Sequence, residues 1–178
     1  MPMIDITLTQ GALTKPALSK LVNDLTKALI DGEGAPDNEY TRFLTWCFVD
    51  ERPPEAISVG GAKPSLPRYR VTLTVPEGAP KIPGPLMMKS RRALSKNATE
   101  LVLDAEGSDY SFENISRVWV QIREIKEGYW GAFGDIATMN DIGTFVMGQP
   151  AIGHKTEKAT VWRDAYKNMS VKSDIAEG

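Results

Sequence analysis

The order strand, helix, strand occurs twice along this chain, and it limits the available folds more than any other feature. From Ile4 the residues alternate, with Ile4, Ile6 and Leu8 on one side and Met3, Asp5, Thr7 and Thr9 on the other. That is the period of a half-buried strand. A turn, Gln10-Gly11-Ala12-Leu13, follows, and Thr14 is placed to cap a helix with Pro16 in its first turn. Ala17, Leu18, Leu21, Val22, Leu25, Ala28 and Leu29 then recur at three- and four-residue spacing, backed by Lys20, Asn23, Asp24 and Lys27. Gly32, Gly34 and Pro36 end this amphipathic helix. A second strand is predicted over residues 42–49. Thr45, Cys47 and Val49 share one face and Leu44, Trp46 and Phe48 the other. Both faces are largely apolar, so both are expected to be covered.

Residues 50–67 form a connection rich in Pro and Gly, and then the order starts again. Arg68 to Val75 alternates, with Val71, Leu73 and Val75 opposite Arg70, Thr72 and Thr74. A Pro/Gly-rich loop at 76–85 leads into a helix predicted over 86–104, with Met87, Leu94, Ala98, Leu101 and Val102 in its stripe. A strand at 117–122 sets Val118, Val120 and Ile122 against Trp119, Gln121 and Arg123. Short matches support the duplication. Thr7-Leu8-Thr9 recurs as Thr72-Leu73-Thr74, and aligning Glu51 with Glu124 brings Trp46 onto Trp119. Beyond the second unit, Gly128-Tyr129-Trp130-Gly131-Ala132-Phe133-Gly134 reads as a hairpin. A polar tail follows, with a short helix within 155–167 whose Val161, Trp162 and Tyr166 pack on the body or on a neighbouring subunit. The last eight residues are expected to fray.

Composition excludes several classes of function. The 178 residues are 42% hydrophobic and 25% charged, with a net charge of −2, as in a soluble globular protein of one domain or two small fused units. There is no basic run with interleaved aromatics to bind nucleic acid. No apolar stretch approaches the ~20 residues that span a membrane. The N-terminus lacks a secretory pattern, so a cytoplasmic location is expected. One cysteine, Cys47, and one histidine, His154, leave no internal disulfide and little for a zinc site. Cys47 reads as a buried core thiol, and its pairing with His154 as a nucleophile is the weaker reading.

The start of the chain carries chemistry. Initiator methionine is normally removed before a small residue, and removal would leave Pro2 as a terminal secondary amine. A free α-amino group titrates at roughly 7.7–8.0, and an apolar wall lowers that value by disfavouring the ammonium. A buried Pro2 is therefore a candidate general base near neutral pH. The alternative is an ordinary start residue. Trp119, Trp130 and Phe133 are candidates for the apolar wall, and equally for core or interface. Arg70 and Arg123 are candidates to bind a substrate carboxylate, or else are solvated or bridge subunits. Tyr129 is a candidate proton donor or a merely exposed turn residue. Asp135 and the 50–52 cluster read as solvated charge.

Three pieces together carry a family likeness: Pro2-Met3-Ile4, then Phe43-Leu44 through Glu51-Arg52-Pro53 to Gly60-Gly61, then Val118 through Glu124 to Gly128-Tyr129-Trp130-Gly131. In this order they resemble the tautomerase superfamily. That group includes 4-oxalocrotonate tautomerase, macrophage migration inhibitory factor, cis-3-chloroacrylic acid dehalogenase and malonate semialdehyde decarboxylase. The doubled unit resembles its fused-repeat members over roughly residues 2–135. The resemblance implies an α+β fold of two tandem β-α-β units, forming a four-stranded mixed sheet with two helices on one face. Residues 1–135 would form one domain, with repeats at 2–60 and 67–135, and 136–178 a C-terminal extension at a subunit interface. It implies a homotrimer in which the other sheet face, with Trp46, Phe48 and Trp119, packs between subunits.

The resemblance also implies cofactor-free chemistry on a small carboxylic acid, with Pro2 matching the catalytic proline. Pro67 lies in register with Pro2, but its nitrogen is an amide and cannot be a base. The two arginines of the 4-oxalocrotonate type fall here at Ala12 or Leu13 and at Trp119. Trp119 matches a tyrosine and Gln121 an asparagine of the inhibitory-factor type, and Trp130 matches the hairpin aromatic that walls the proline pocket. The histidine and paired arginines of the dehalogenase fall at Leu29 and Val75-Pro76. The substrate-binding set implied is Arg70, Trp119, Gln121, Arg123 and Trp130. The leading expectation is a keto–enol tautomerase. A hydratase, dehalogenase or decarboxylase of a 3-carbon unsaturated or semialdehyde acid is the enzyme alternative, favoured by a Glu or Asp near Pro2. A non-catalytic trimeric scaffold is the alternative outside enzymes, favoured by retention of Met1.

Overall fold

The computed structural model describes residues 2–77, 85–150 and 153–169. Met1, residues 78–84 of the predicted loop, the side chains of residues 85–88 and the tail expected to fray lie outside the described residues. Strand β1 (Met3–Thr9) buries Ile4, Ile6 and Leu8 almost completely. Helix α1 (Lys15–Glu33) starts where the sequence places its cap, since Thr14 Oγ1 accepts from the Ala17 amide at 3.3 Å. It ends at Gly34, whose φ of +68° is the left-handed conformation that glycine adopts at no steric cost. Leu21, Leu25, Ala28, Leu29 and Ile30 form its buried side.

A short helix α2 (Glu39–Leu44) leads into β2 (Trp46–Arg52). The expected strand start at residue 42 is thus corrected: Arg42, Phe43 and Leu44 are helical. Asn38 caps α2 by accepting from the Thr41 amide at 2.9 Å, and the Thr41 hydroxyl donates to the Pro36 carbonyl at 2.6 Å. These local bonds offer the backbone an alternative to the ladder, and the alternating pattern begins only at Trp46.

The second unit repeats the design with β3 (Tyr69–Pro76), α3 (Pro85–Glu106), a one-turn α4 (Phe112–Ile115) and β4 (Val118–Ile125). The sheet order is β2-β1-β3-β4. β1 and β2 are parallel, as are β3 and β4, and β1 meets β3 antiparallel. The sheet is therefore mixed, as expected. Ile4, Ile6, Leu8, Val71, Leu73 and Val75 pack with Leu21, Leu25, Leu29, Ala98, Val102 and Leu103 into the main core. Each large apolar side chain so buried contributes roughly 1.5–3 kcal/mol.

The opposite face is not covered within the chain. Trp46, Phe48 and Trp119 are 62%, 51% and 71% exposed. The expectation that both faces of the second strand are covered fails for the isolated chain on this side.

After β4 comes a hairpin, β5 (Gly131–Ala132) and β6 (Asp135–Ile136), then helices α5 (Met139–Met147) and α6 (Glu157–Lys167). α5 is absent from the sequence reading, which takes this stretch as polar tail. Its signal is a capping box. Thr138 Oγ1 accepts from the Asp141 amide at 3.2 Å, and Asp141 Oδ2 accepts from the Thr138 amide at 2.8 Å. Phe145, Val146 and Tyr166 join Leu44 and Ala137 in a second core, with Tyr40, Phe43, Trp130 and Trp162 packed against it. Trp162 and Tyr166 thus pack on α2 and the hairpin of their own chain, while Val161 is exposed. No helix among the described residues is long and apolar enough to cross a membrane.

Candidate active site

Pro2 directly precedes β1 and is buried. It sits against a cavity of about 330 Å³. Four elements build the walls. Met3 comes from β1, Phe43 and Leu44 from α2, Trp46 and Phe48 from β2, and Trp130, Gly131, Ala132 and Phe133 from the hairpin. α2 is what turns Phe43 and Leu44 inward; as a strand start they would stand along the sheet.

The hairpin wall is held from behind. Its turn residues Phe133 and Gly134 have φ of +54° and +78°, both left-handed as a two-residue hairpin turn requires. For a phenylalanine this conformation costs of order 1–3 kcal/mol. Ring packing offsets the cost: Phe133 stacks on Trp162 of α6 at 4.8 Å and on Phe43 at 6.3 Å. Lys158 of α6 donates to the Ile136 carbonyl at 2.6 Å and pairs with Asp135 at 3.2 Å and Asp141 at 3.1 Å. Asp135, read from sequence as solvated, is one of the groups tying the hairpin to α6.

The structure brings some of the sequence candidates together and separates others. Pro2, Trp130 and Phe133 meet at the cavity. Arg70, Trp119, Gln121 and Arg123 stand instead on the uncovered sheet face, on β3 and β4. Arg70 donates to Thr7 Oγ1 at 2.9 Å, and Arg123 donates to Gln121 Oε1 at 3.2 Å. None of these four lines the cavity of its own chain. Tyr129 is 77% exposed. Burial, helped by the Asp5 carboxylate, pushes the Cys47 thiol up to about 12, so it stays protonated and unreactive at neutral pH. His154 is exposed. Among the described residues no three His, Cys, Asp or Glu side chains cluster to hold a metal ion.

One group at this end of the molecule is absent from the sequence candidates. Glu33 ends α1, which runs back from the far end of β1 toward Pro2. Its Oε1 is buried and has no hydrogen-bond partner. Burial pushes its carboxyl up to about 7. From sequence, Glu33 reads as the last polar residue before a glycine stop; only folding exposes its isolation.

Neither a family model nor a curated protein matches the sequence. Solved structures match closely in shape. A fused 4-OT, described as an asymmetric trimer, superposes with a TM-score of 0.58 at 20% identity, over 76% of this chain and 95% of its own. Pt0534 inactivated by 2-oxo-3-pentynoate gives 0.59 at 19% identity, over 75% and 94%. The fold is the one these solved structures share. A member of the cis-3-chloroacrylic acid dehalogenase family gives 0.61 at 12% identity. That match spans 94% of this chain and 99% of the other. It therefore extends beyond the tandem units into the segment carrying α5 and α6. The likeness foreseen from the three short motifs is thus met by the tautomerase fold as a whole.

Proposed function

We propose that the protein is a cofactor-free keto–enol tautomerase of a small carbonyl or enol acid, with Pro2 as general base once Met1 is removed. The observation that carries this reading is Pro2 buried against a cavity walled by Phe43, Trp46, Phe48, Trp130 and Phe133. An apolar wall keeps a terminal secondary amine unprotonated near neutral pH. The amine takes a proton from the enol hydroxyl, and the resulting ammonium returns one to the neighbouring carbon as the ketone forms. The aromatic walls suit an arylpyruvate-like substrate. The cavity's own lining is apolar, so a substrate carboxylate needs a cation from elsewhere. In a homotrimer packed through the uncovered face, Arg70 or Arg123, with Trp119 and Gln121, would serve a neighbouring subunit's cavity. The exposed aromatics of that face and the trimeric assembly of the fused 4-OT support the arrangement.

Glu33 favours a second reading, hydration or decarboxylation of a 3-carbon unsaturated or semialdehyde acid. A buried carboxyl pushed up to about 7, at the end of the helix that runs back toward Pro2, is the kind of acidic group this reading calls for. The deciding experiment is an intact mass, followed by phenylenolpyruvate ketonisation and 3-chloroacrylate hydrolysis with wild type and Pro2→Ala. We expect Met1 to be absent and ketonisation to fall roughly 100-fold or more in the variant. Turnover of chloroacrylate alone would favour the second reading. Retained Met1, or activity indifferent to the substitution, would leave a non-catalytic trimeric scaffold.

A further inference from the structure

Each half of the chain enters its edge strand through a short helix. The alignment that sets Trp46 on Trp119 also sets α2 on α4, with the caps Asn38 and Ser111 in register. The two helices end in different surroundings. α2 is covered by its own chain: Tyr40 meets Phe145 of α5 at 5.7 Å, and Phe43 meets Tyr166 of α6 at 4.6 Å. On α4, Phe112 is 87% exposed, more than any other large apolar side chain described. It belongs to neither apolar cluster of the molecule.

A groove of about 500 Å³ lies beside it. Ile115 is one helical turn on from Phe112 and so on the same side of α4. It lines the groove with Tyr110 and with Val120 and Ile122 of β4. The cationic rim comes from α3. Arg91 is held by Glu124, and Lys96 reaches Glu100, the acid that also lines the groove, at 3.5 Å. Arg92 is exposed and has no acidic partner among the described residues. The unpaired acids stand around Phe112 instead. Asp109 and Glu113 flank it in the chain, and both are exposed. Asp109 accepts from the Ser111 amide at 3.0 Å and the Asn114 side chain at 2.7 Å, and neither acid has a cationic partner among the described residues. One surface thus carries an aromatic knob between two acids and, next to it, an apolar slot under a cationic rim.

We propose that this surface docks on itself. Two chains pair about a two-fold axis, each Phe112 seated in the other's groove, with Glu113 of one chain against Arg92 of the other. A two-fold contact requires one patch to carry both complementary halves, and this patch does. The charges select a second copy over an unrelated apolar partner, because the two-fold satisfies the acids of both knobs and the cations of both rims at once. The contact lies on the helix side of the sheet. Trp46, Phe48 and Trp119 stand on the opposite face, so pairing here joins assemblies built through that face without competing for it.

The experiment is sedimentation equilibrium of the full chain over a range of protein concentration at ~20 mM and ~0.5 M salt, where the screening length falls from about 20 Å to about 4 Å. Wild type should double in mass with concentration at low salt and return to half that mass at high salt. Phe112→Ser should weaken pairing about tenfold or more, as loss of a central aromatic anchor does. Glu113→Arg and Arg92→Glu should each abolish pairing, because each sets like charges against one another. An equimolar mixture of these two variants should pair again, since opposite charges then meet at both contacts. All three side chains are exposed, so the fold is not at stake. A wild-type mass that stays constant with concentration at low salt overturns the proposal, and so does pairing that survives Phe112→Ser. Benzoylphenylalanine at position 112 tests the occupant. A photo-crosslink to the α3–β4 groove of a second chain supports the proposal, and one within the same chain, or elsewhere on a second chain, overturns it.

Discussion

Glu33 and Glu106 occupy the same place at the ends of their helices and act on stability in opposite directions. Glu106 is pushed up by burial, but hydrogen bonds from Arg117, Ser108 and Tyr69 outweigh it and hold its carboxyl at about 2. Its folded value lies below the unfolded value of ~4.3. The stabilisation is therefore present above ~4.3 and lost as pH falls toward 2. Arg117→Met should cost about 3 kcal/mol at neutral pH, because it leaves a buried carboxylate alone. Urea melts from pH 2 to 7 should find that gap closing at the acid end. Glu33 has the reverse sign. Its folded value of about 7 exceeds the unfolded one, so stability is highest below ~4.3 and falls as pH rises through 7. Thermal melts of Glu33→Gln should lack that decline, and above pH 7 the variant should melt higher than wild type. Pro2 and Trp130 were legible as candidates from their positions in the chain, and the fold brings them to one cavity. Glu33 was not, because its state comes from burial without a hydrogen-bond partner, which only the packed chain creates.

Most elements of the tandem units announce themselves by period. β1, α1, β3, α3 and β4 follow from alternation or from three- and four-residue spacing, with Thr14 and Gly34 as start and stop signals. The failures are short helices, α2, α4 and α5, where capping side chains outcompete a weak or mixed pattern. α5 depends on its box, so Thr138→Ala should destabilise by ~1 kcal/mol, read by chemical denaturation. α6 matters to the site through Trp162, which stacks on Phe133 behind the cavity wall. Trp162→Ala should raise KM for an arylpyruvate enol about tenfold with a smaller change in kcat, since the wall loosens while Pro2 keeps its surroundings. Equal losses in kcat and kcat/KM would instead place Trp162 in the chemical step.

On the scale of the molecule, one face of the sheet is a core and the other is an unfinished surface. Ile4, Ile6, Leu8, Val71 and Leu73 are buried under two helices, while Trp46, Phe48 and Trp119 stay largely in solvent. Exposed aromatics in one contiguous sheet face point to burial in an assembly. Sedimentation should give a trimer, and Trp119→Asp should shift it toward monomer, because a carboxylate buried in that interface has no partner. If Arg70 and Arg123 serve a neighbouring cavity, ketonisation should fall with the trimer. A monomeric wild type retaining full activity would remove both from the site.

The sequence by itself determined the tandem architecture, because strand and helix periods are local properties of neighbouring residues. It also marked Pro2, since a position next to the initiator needs no fold to be recognised. The tertiary structure alone decided what surrounds that proline. The cavity joins residues from β1, α2, β2 and the hairpin, with α6 behind it, and no period connects such distant segments. It also decided the state of Glu33, because burial without a hydrogen-bond partner is a property of the packed chain and not of the residue.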